Sequence, residues 1–452
     1  MPAHSSSTRV GRIQPAPEHH LDAATLARAK ASATSSRRGF LGTAAAGTVA
    51  AVTAGAAGRA LADNPGAPGS TLPPTGPVAL GAPVGAFPYG MPSKHESMVV
   101  RRMSPGLTRT PHSSISFTPL QNLFGIITPS GVHFERHHSG MPEIDPQQHR
   151  LMIHGLVKRP LLLSMNDLVR FPSVSRVHFI ECGANTGMEW GNVAVPTVQY
   201  THGMLACSEF TGVPLATLLG EAGIDLSKAK YILAEGADGS HLTRTISLEM
   251  ALKDVLVVYG QNGEMLRPEN GYPLRLLVPG VQGVSSVKWL RRIEVGDAPW
   301  NTREESLHYI DLMPDGTHRQ YTWIQEVKSV ITAPSAGQVL LDKGYYEITG
   351  LAWSGRGKIT RVDVSTDGGR NWRTAKLQEP VMSKCLTRFR ADWRWDGNGA
   401  LLQSRAVDDS GHVQPTVAQL RAVRGSRSIY HNNKIQTWRV DANGEVTNVQ
   451  LA

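Results

Sequence analysis

Cys182 stands where an apolar run, "VHFI" over residues 177–180, breaks into the glycine-bearing turn of "ECGANTG". A thiol does chemistry as its thiolate, which needs an accessible turn and positive surroundings. The end of a strand is such a place. The chain's two other cysteines sit in core-like settings, Cys207 in "MLACSEF" and Cys385 in "MSKCLTRF", which fit buried structural thiols. On residue type alone, that same reading stays open for Cys182. No C-x-x-C pair and no C-x-x-C-H occurs, so the chain attaches no c-type haem of its own and carries no cysteine-based zinc spacing. Polar groups of a second kind are scattered along the chain: Arg136, His137 and His138 in "FERHHSG", Asp238 in "EGADGS", Arg275 in "YPLRLLVPG", and Ser286 with Lys288 in "GVSSVKWL". His133, His137 and His138 invite a zinc reading, but no carboxylate or thiol accompanies them at a fitting spacing.

The elements that must position these groups fall into two folded segments. Residues 98–325 mix β-rich runs ("RVHFIEC", "KYILAEG", "VLVVYG", "PLRLLVPG") with helical patches such as "PLATLLGEAG", which predicts an α+β domain. Residues 326–440 alternate apolar and polar side chains between Gly/Asp turns, the pattern of a small antiparallel sandwich, with a hairpin over 359–376 turning at "DGG". That hairpin contains "STDGGRNW", an Asp-box pattern found in propeller enzymes. One copy without a repeat argues for a simple turn. Residues 441–452 are expected to be a frayed tail.

The N-terminal part is different. "SSRRGFLG" places Arg37 and Arg38 ahead of Phe40 and Leu41, and an Ala-rich run leads to "RALA", so residues 1–62 read as a twin-arginine export signal. The run is too weakly apolar to remain as a membrane anchor, so no span is expected in the mature chain. A Pro/Gly-rich linker follows over 63–97. Seven Lys/Arg against two Asp/Glu in residues 1–62 give +5 of the net +9, leaving +4 for the rest. No basic tract with interleaved aromatics survives in that remainder, so nucleic acid is not an expected partner.

The segments "HFIECGANTGMEWGN", "VLVVYGQNGEMLRPENGYPLRLLVPGVQGVSSVKWL", "YYEITGLAWSG" and "VDVSTDGGRNW" resemble, in order, the sulfite oxidase family of molybdenum enzymes. The resemblance covers residues from about 100 to 430. Within the family, "HFIECGANTGMEWGN" and "HYIDLMPDG" look most like the molybdenum subunits of bacterial sulfane dehydrogenases. The resemblance implies a molybdopterin-binding α+β domain followed by an immunoglobulin-like dimerisation domain. It implies Cys182 as the protein's ligand to molybdenum, with Arg136, His137, His138, Asp238, Asn270, Arg275, Ser286 and Lys288 around the pterin, and Arg136 and Tyr200 beside the substrate. Asn270 replaces a histidine common in relatives. Thr186 and Gly187 stand where the family has a second substrate arginine. The family's active-site tyrosine has no clean match: Glu305 is nearest by count, and Tyr309 is a spatial substitute. The implied activity is oxidation of reduced sulfur in the periplasm. The substrate would be a sulfane on a carrier protein or, alternatively, free sulfite, and electrons would pass to a dihaem c-type cytochrome in a homodimer or heterotetramer. A periplasmic binding or assembly protein that kept the fold without catalysis is the third reading.

Overall fold

The computed structural model describes residues 82–104, 110–193, 195–426 and 429–451. The expected leader over 1–62 and the linker up to residue 81 lie outside the described residues. Residues 82–94 belong to a separate unit of turns and bends, and the unit from His95 onward carries the sheets. Among the described residues, no helix is long and apolar enough to cross a membrane.

Two five-stranded sheets build the first half of this unit. One is antiparallel and runs Glu264–Met265, Leu256–Gln261, Leu205–Pro214, Val174–Glu181, with Arg275–Leu277 also pairing to Leu256–Gln261. The other runs Leu161–Ser164, Arg150–Gly155, Leu290–Gly296, Tyr231–Gly236, Thr243–Ser247. In it, Arg150–Gly155 and Leu290–Gly296 are parallel and the remaining pairs antiparallel. The "PLATLLGEAG" patch forms the helix Leu215–Ala222. Its Leu215, Leu218, Leu219 and Ala222 recur at helical spacing and are buried, and Gly223 at φ +68° ends it.

Strand periodicity decides which face of the first sheet meets what. Side chains alternate along a strand, and directly paired residues share a face. Phe179 pairs with Cys207 and Ile180 with Ala206. Phe179, Leu205 and Cys207 therefore join a core shared with the C-terminal domain. Ile180, Met204 and Ala206 face the opposite way, into the core that includes Cys182. The strand leading to Cys182 is thus clamped between two apolar layers.

From Lys328 the chain forms a two-sheet sandwich. One sheet is Lys328–Ala333, Gly344–Trp353, Thr387–Trp395 and Lys376–Leu377; the other is Arg373–Thr374, Ile359–Ser365, Ala400–Asp408, Thr437–Val440 and Val446–Val449. Trp353, Phe389, Leu402 and Trp438 fill the space between them. The "STDGGRNW" stretch closes the hairpin as a turn. Ser365 Oγ donates to Asp367 Oδ1 at 2.8 Å, and Asn371 N–H donates to the same oxygen at 2.9 Å. The expected frayed tail is corrected: Val446–Val449 pairs antiparallel with Thr437–Val440, and Val446 is buried. The polar spelling hid a strand whose Asn448 amide donates to Val195 O at 2.8 Å and to the carboxylate of Glu189, so its polar face is satisfied inside the protein.

Candidate functional site

Cys182 lies one residue beyond its strand, and the ladder continues to it: Cys182 N–H donates to Met204 O at 3.0 Å. The turn then folds back, with Asn185 N–H donating to Cys182 O at 2.9 Å and Asn185 Oδ1 accepting from Met204 N–H at 3.2 Å. Thr186 adopts the left-handed conformation, φ +65°, which a β-branched residue adopts only under constraint. The constraint is visible. Lys328 Nζ holds its hydroxyl at 2.9 Å and Asn432 Nδ2 holds its carbonyl at 3.1 Å, both from the C-terminal domain.

Beneath this turn lies a buried charge network. The Glu181 carboxylate receives Lys328 Nζ at 3.0 Å, Asn185 Nδ2 at 3.0 Å and Trp353 Nε1 at 2.8 Å. Lys434 pairs in the same way with buried Glu189 at 3.2 Å. Neither pair reaches solvent, so each is held by its partners rather than by water.

Cys182 lines a cavity of about 80 Å³. Arg136, His137, His138, Asp238, Asn270, Arg275, Ser286 and Lys288, all singled out from the sequence, line the same cavity. They arrive from separate elements: an extended segment bridged at Ile115–Arg136, the loop after Tyr231–Gly236, the turn Pro268–Asn270, the strand Arg275–Leu277 and the approach to Leu290–Gly296. Tyr200 does not line it. It packs edge-on against Phe117 at 5.4 Å and lines a neighbouring space with Gly187, Met188 and Ile429.

The two ends of the cavity differ electrostatically. At one end, buried Arg275 donates to two backbone oxygens, Asn270 O at 2.9 Å and Ser286 O at 3.0 Å, while its Nε has no partner. Desolvation lowers its pKa to about 10. Lys288, half-buried beside it, contacts Glu269 O at 3.1 Å and His137 Nδ1 at 2.8 Å; desolvation, with Arg275 nearby, lowers its pKa to about 7. Neither group makes an ion pair with a carboxylate among the described residues. A buried guanidinium and a half-buried ammonium, both held by carbonyls, form a place for an anion.

At the other end, Cys182 feels Arg136, although burial dominates and raises the thiol's pKa. Arg136 reaches His138 Nδ1 at 3.4 Å, and His138 Nε2 meets Tyr309 OH at 3.1 Å. Burial, then Arg136, lowers the His138 pKa to about 3, so that imidazole is neutral at working pH. Tyr309 lines the cavity at φ +54°, and burial raises its phenol well above the ordinary value. Glu305 is directed elsewhere: it is buried, accepts from Thr302 Oγ1 at 2.6 Å and stands 3.8 Å from Arg244. Of the two residues weighed for the missing tyrosine, the fold brings Tyr309 to the cavity. Sequence reading missed Tyr430, which stacks on Tyr309 with centroids 5.0 Å apart, because it lies 121 positions further along in a polar stretch. The zinc reading finds no geometry. Among the described residues no three His, Cys, Asp or Glu side chains converge, and buried His133 turns its Nδ1 to Phe134 O at 3.0 Å.

Residues 138–304 match a family described as "Oxidoreductase molybdopterin binding domain", and residues 319–438 match "Mo-co oxidoreductase dimerisation domain". A solved structure, the sulfane dehydrogenase SoxCD from Paracoccus pantotrophus, is similar with a TM-score of 0.82 and 51% identity, covering 83% of this chain and 96% of that one. Sulfite oxidase of Gallus gallus is 31% identical over 378 residues, 77% of this chain and 80% of that one. Nitrate reductase [NADH] of Solanum lycopersicum is 33% identical over 63% of this chain but only 34% of its own length, and mitochondrial sulfite oxidase of Mus musculus is 32% identical over 69% and 62% respectively. The chain thus spans about a third of the first of these and under two thirds of the second.

The residues present fit a molybdopterin. Arg275, with an unpartnered Nε, and Lys288 would offer positive charge to its phosphate, and Cys182, lining the same cavity, would offer a soft sulfur ligand to its metal. With both of its domains matched, the chain belongs to the sulfite oxidase family of molybdenum enzymes.

Proposed function

We propose that the chain is the molybdenum subunit of an exported oxidoreductase that oxidises a sulfane sulfur carried on a thiol. The observation that supports this most is the charge at the reacting end. Arg136 is the cation within reach of Cys182, and the place of a second one is taken by Thr186 and Gly187. Thiol-linked sulfane, R–S–S⁻, and its oxidation products up to R–S–SO₃⁻ are monoanions at every stage. The full conversion, R–S–S⁻ + 3 H₂O → R–S–SO₃⁻ + 6 H⁺ + 6 e⁻, never needs a second positive charge. Free sulfite above neutral pH is a dianion, and enclosing it beside one guanidinium leaves a charge uncompensated.

When bound, the molybdenum supplies oxygen-atom transfer and storage of two electrons. The chain's own residues do the rest. Cys182 anchors the group, Arg136 orients the anion, and Tyr309, kept protonated by burial, offers a hydroxyl hydrogen-bonded to His138. The chain carries no C-x-x-C-H motif, so the electrons go to a separate dihaem c-type cytochrome, and the C-terminal sandwich joins copies into a homodimer or a heterotetramer with that cytochrome. Export by the twin-arginine route, which carries folded cargo, brings the loaded protein to a periplasmic cytochrome.

The test is metal and pterin analysis of the exported protein, followed by cytochrome reduction with a thiol-linked sulfane and with sulfite. One molybdenum per chain and a strong preference for the sulfane are expected. Equal efficiency with sulfite would replace this reading with a sulfite dehydrogenase. Metal-free material without activity would favour the binding or assembly protein.

A further inference from the structure

The segment 429–433 follows the sandwich's helix Val417–Arg424, yet it is laid across the turn that carries Cys182. His431 N–H donates to Gly183 O at 2.8 Å. Ile429 O passes so close to Gly187 that a β-carbon there would stand 2.2 Å from it. Only glycine admits this approach. Between these two anchors Tyr430 lies nearly parallel to Tyr309, at 27°, with its hydroxyl hydrogen-bonded to the Tyr309 backbone and within electrostatic reach of Cys182 and Arg136. Arg244 places its guanidinium over the Tyr309 ring, 5.6 Å from its centre. The result is an aromatic, uncharged pair beside Cys182 in which Tyr309 lines the cavity and Tyr430, from the C-terminal domain, backs it.

We propose that Tyr430 is a specificity-determining residue that, with Tyr309, forms a wall admitting a sulfur terminus still tethered through a thiol and disfavouring a small free dianion. This rests on the reading of sulfane oxidation above. An aromatic ring packs favourably against the aliphatic stem of a tethered substrate and offers no charge to a free one. Specificity here is a difference of affinities, set by what the wall withholds as much as by what Arg136 supplies.

The experiment uses the cofactor-loaded full chain and two readouts. Calorimetry compares binding of S-sulfocysteine, which mimics the thiol-linked product, with binding of sodium sulfate. Turnover compares a cysteine persulfide peptide with sulfite. The parent protein should favour the thiol-linked compound in both, by at least about tenfold. Tyr430→Arg should shrink or invert that ratio by at least about tenfold at unchanged pterin content, and Tyr430→Phe should preserve it. Should Tyr430→Arg fail to retain the pterin, Tyr430→Leu, which removes the ring without adding charge, must narrow the ratio. If the ratio is the same in Tyr430→Arg or Tyr430→Leu as in the parent, this inference is overturned while sulfane oxidation stands. If Tyr430→Phe loses the preference as fully as Tyr430→Arg, the ring is not what selects and the inference is likewise overturned. A parent protein without any preference overturns both readings.

Discussion

Replacing Cys182 by serine changes one atom at the floor of the cavity, from a polarisable sulfur to an oxygen that holds its proton far more tightly. The backbone bonds that shape the turn, to Met204 and Asn185, do not involve the side chain. Cys182→Ser should therefore fold with an unaltered circular dichroism spectrum but carry little molybdenum by elemental analysis; a variant holding a full metal complement would refute the ligand assignment. Arg275→Met, by contrast, removes a buried cation and leaves the Asn270 and Ser286 carbonyls without their donor. The expected outcome is a loss of about 1–3 kcal/mol per orphaned carbonyl in chemical denaturation, together with loss of pterin from the purified protein. At this scale much was legible. Residue type and the turn at Cys182 marked the thiol, and the family pattern marked the charged set that the fold gathers in one cavity. Tyr309 was weighed only beside Glu305, because counting along the chain cannot show that Glu305 turns back towards Arg244 and Thr302. Tyr430 left no local signal, since its partner is chosen by tertiary packing.

Turns in this protein are positioned by elements that are distant in sequence. The left-handed Thr186 is fastened by Lys328 at the start of the sandwich and by Asn432 near its end. Lys328→Met would leave Glu181 buried with its charge uncompensated, a change that typically costs about 3–5 kcal/mol. A lowered melting temperature and weakened cofactor retention should appear together, and an unchanged melting temperature would show that the Lys328–Glu181 pair does not hold the turn. Gly187→Ala presses a methyl group into the Ile429 carbonyl, which must give way. About 1–3 kcal/mol of destabilisation is expected, with faster amide exchange confined to 182–189 and 429–433. The strands themselves were readable from alternation, as was the 359–376 hairpin. The final strand was not, because its polar residues are satisfied by Glu189 and the Val195 carbonyl rather than by water. Period and hydropathy report apolar burial, and this strand buries only Val446 while its half-buried Asn448 is held by hydrogen bonds.

Across the whole molecule, several histidines outside the cavity are enclosed in neutral form. Burial lowers the pKa of His149, His178, His202 and His431, with His202 well below the ordinary imidazole value. An unfolded chain binds protons at these sites below about pH 6.5, while the folded one resists, so the unfolded state holds more protons and stability rises with pH. Their contribution is complete above that range and shrinks as pH falls, by up to about 1.4 kcal/mol per site per pH unit. Glu326, lowered to about 2 chiefly by its bond to His431, adds a second loss as pH falls below the ordinary carboxylate range. Melting temperatures measured from pH 8 to 5 should decline steeply below 6.5; a flat profile would show that these imidazoles reach solvent. Composition and periodicity were enough to indicate two domains, but they could not reveal that one apolar core runs from Phe179 and Leu205 into the sandwich.

That continuity has a mechanical side. Asn432 and His431 supply the donors for the Thr186 and Gly183 carbonyls. The turn at Cys182 therefore keeps its shape only while the sandwich is folded, so whatever loosens the one slackens the other.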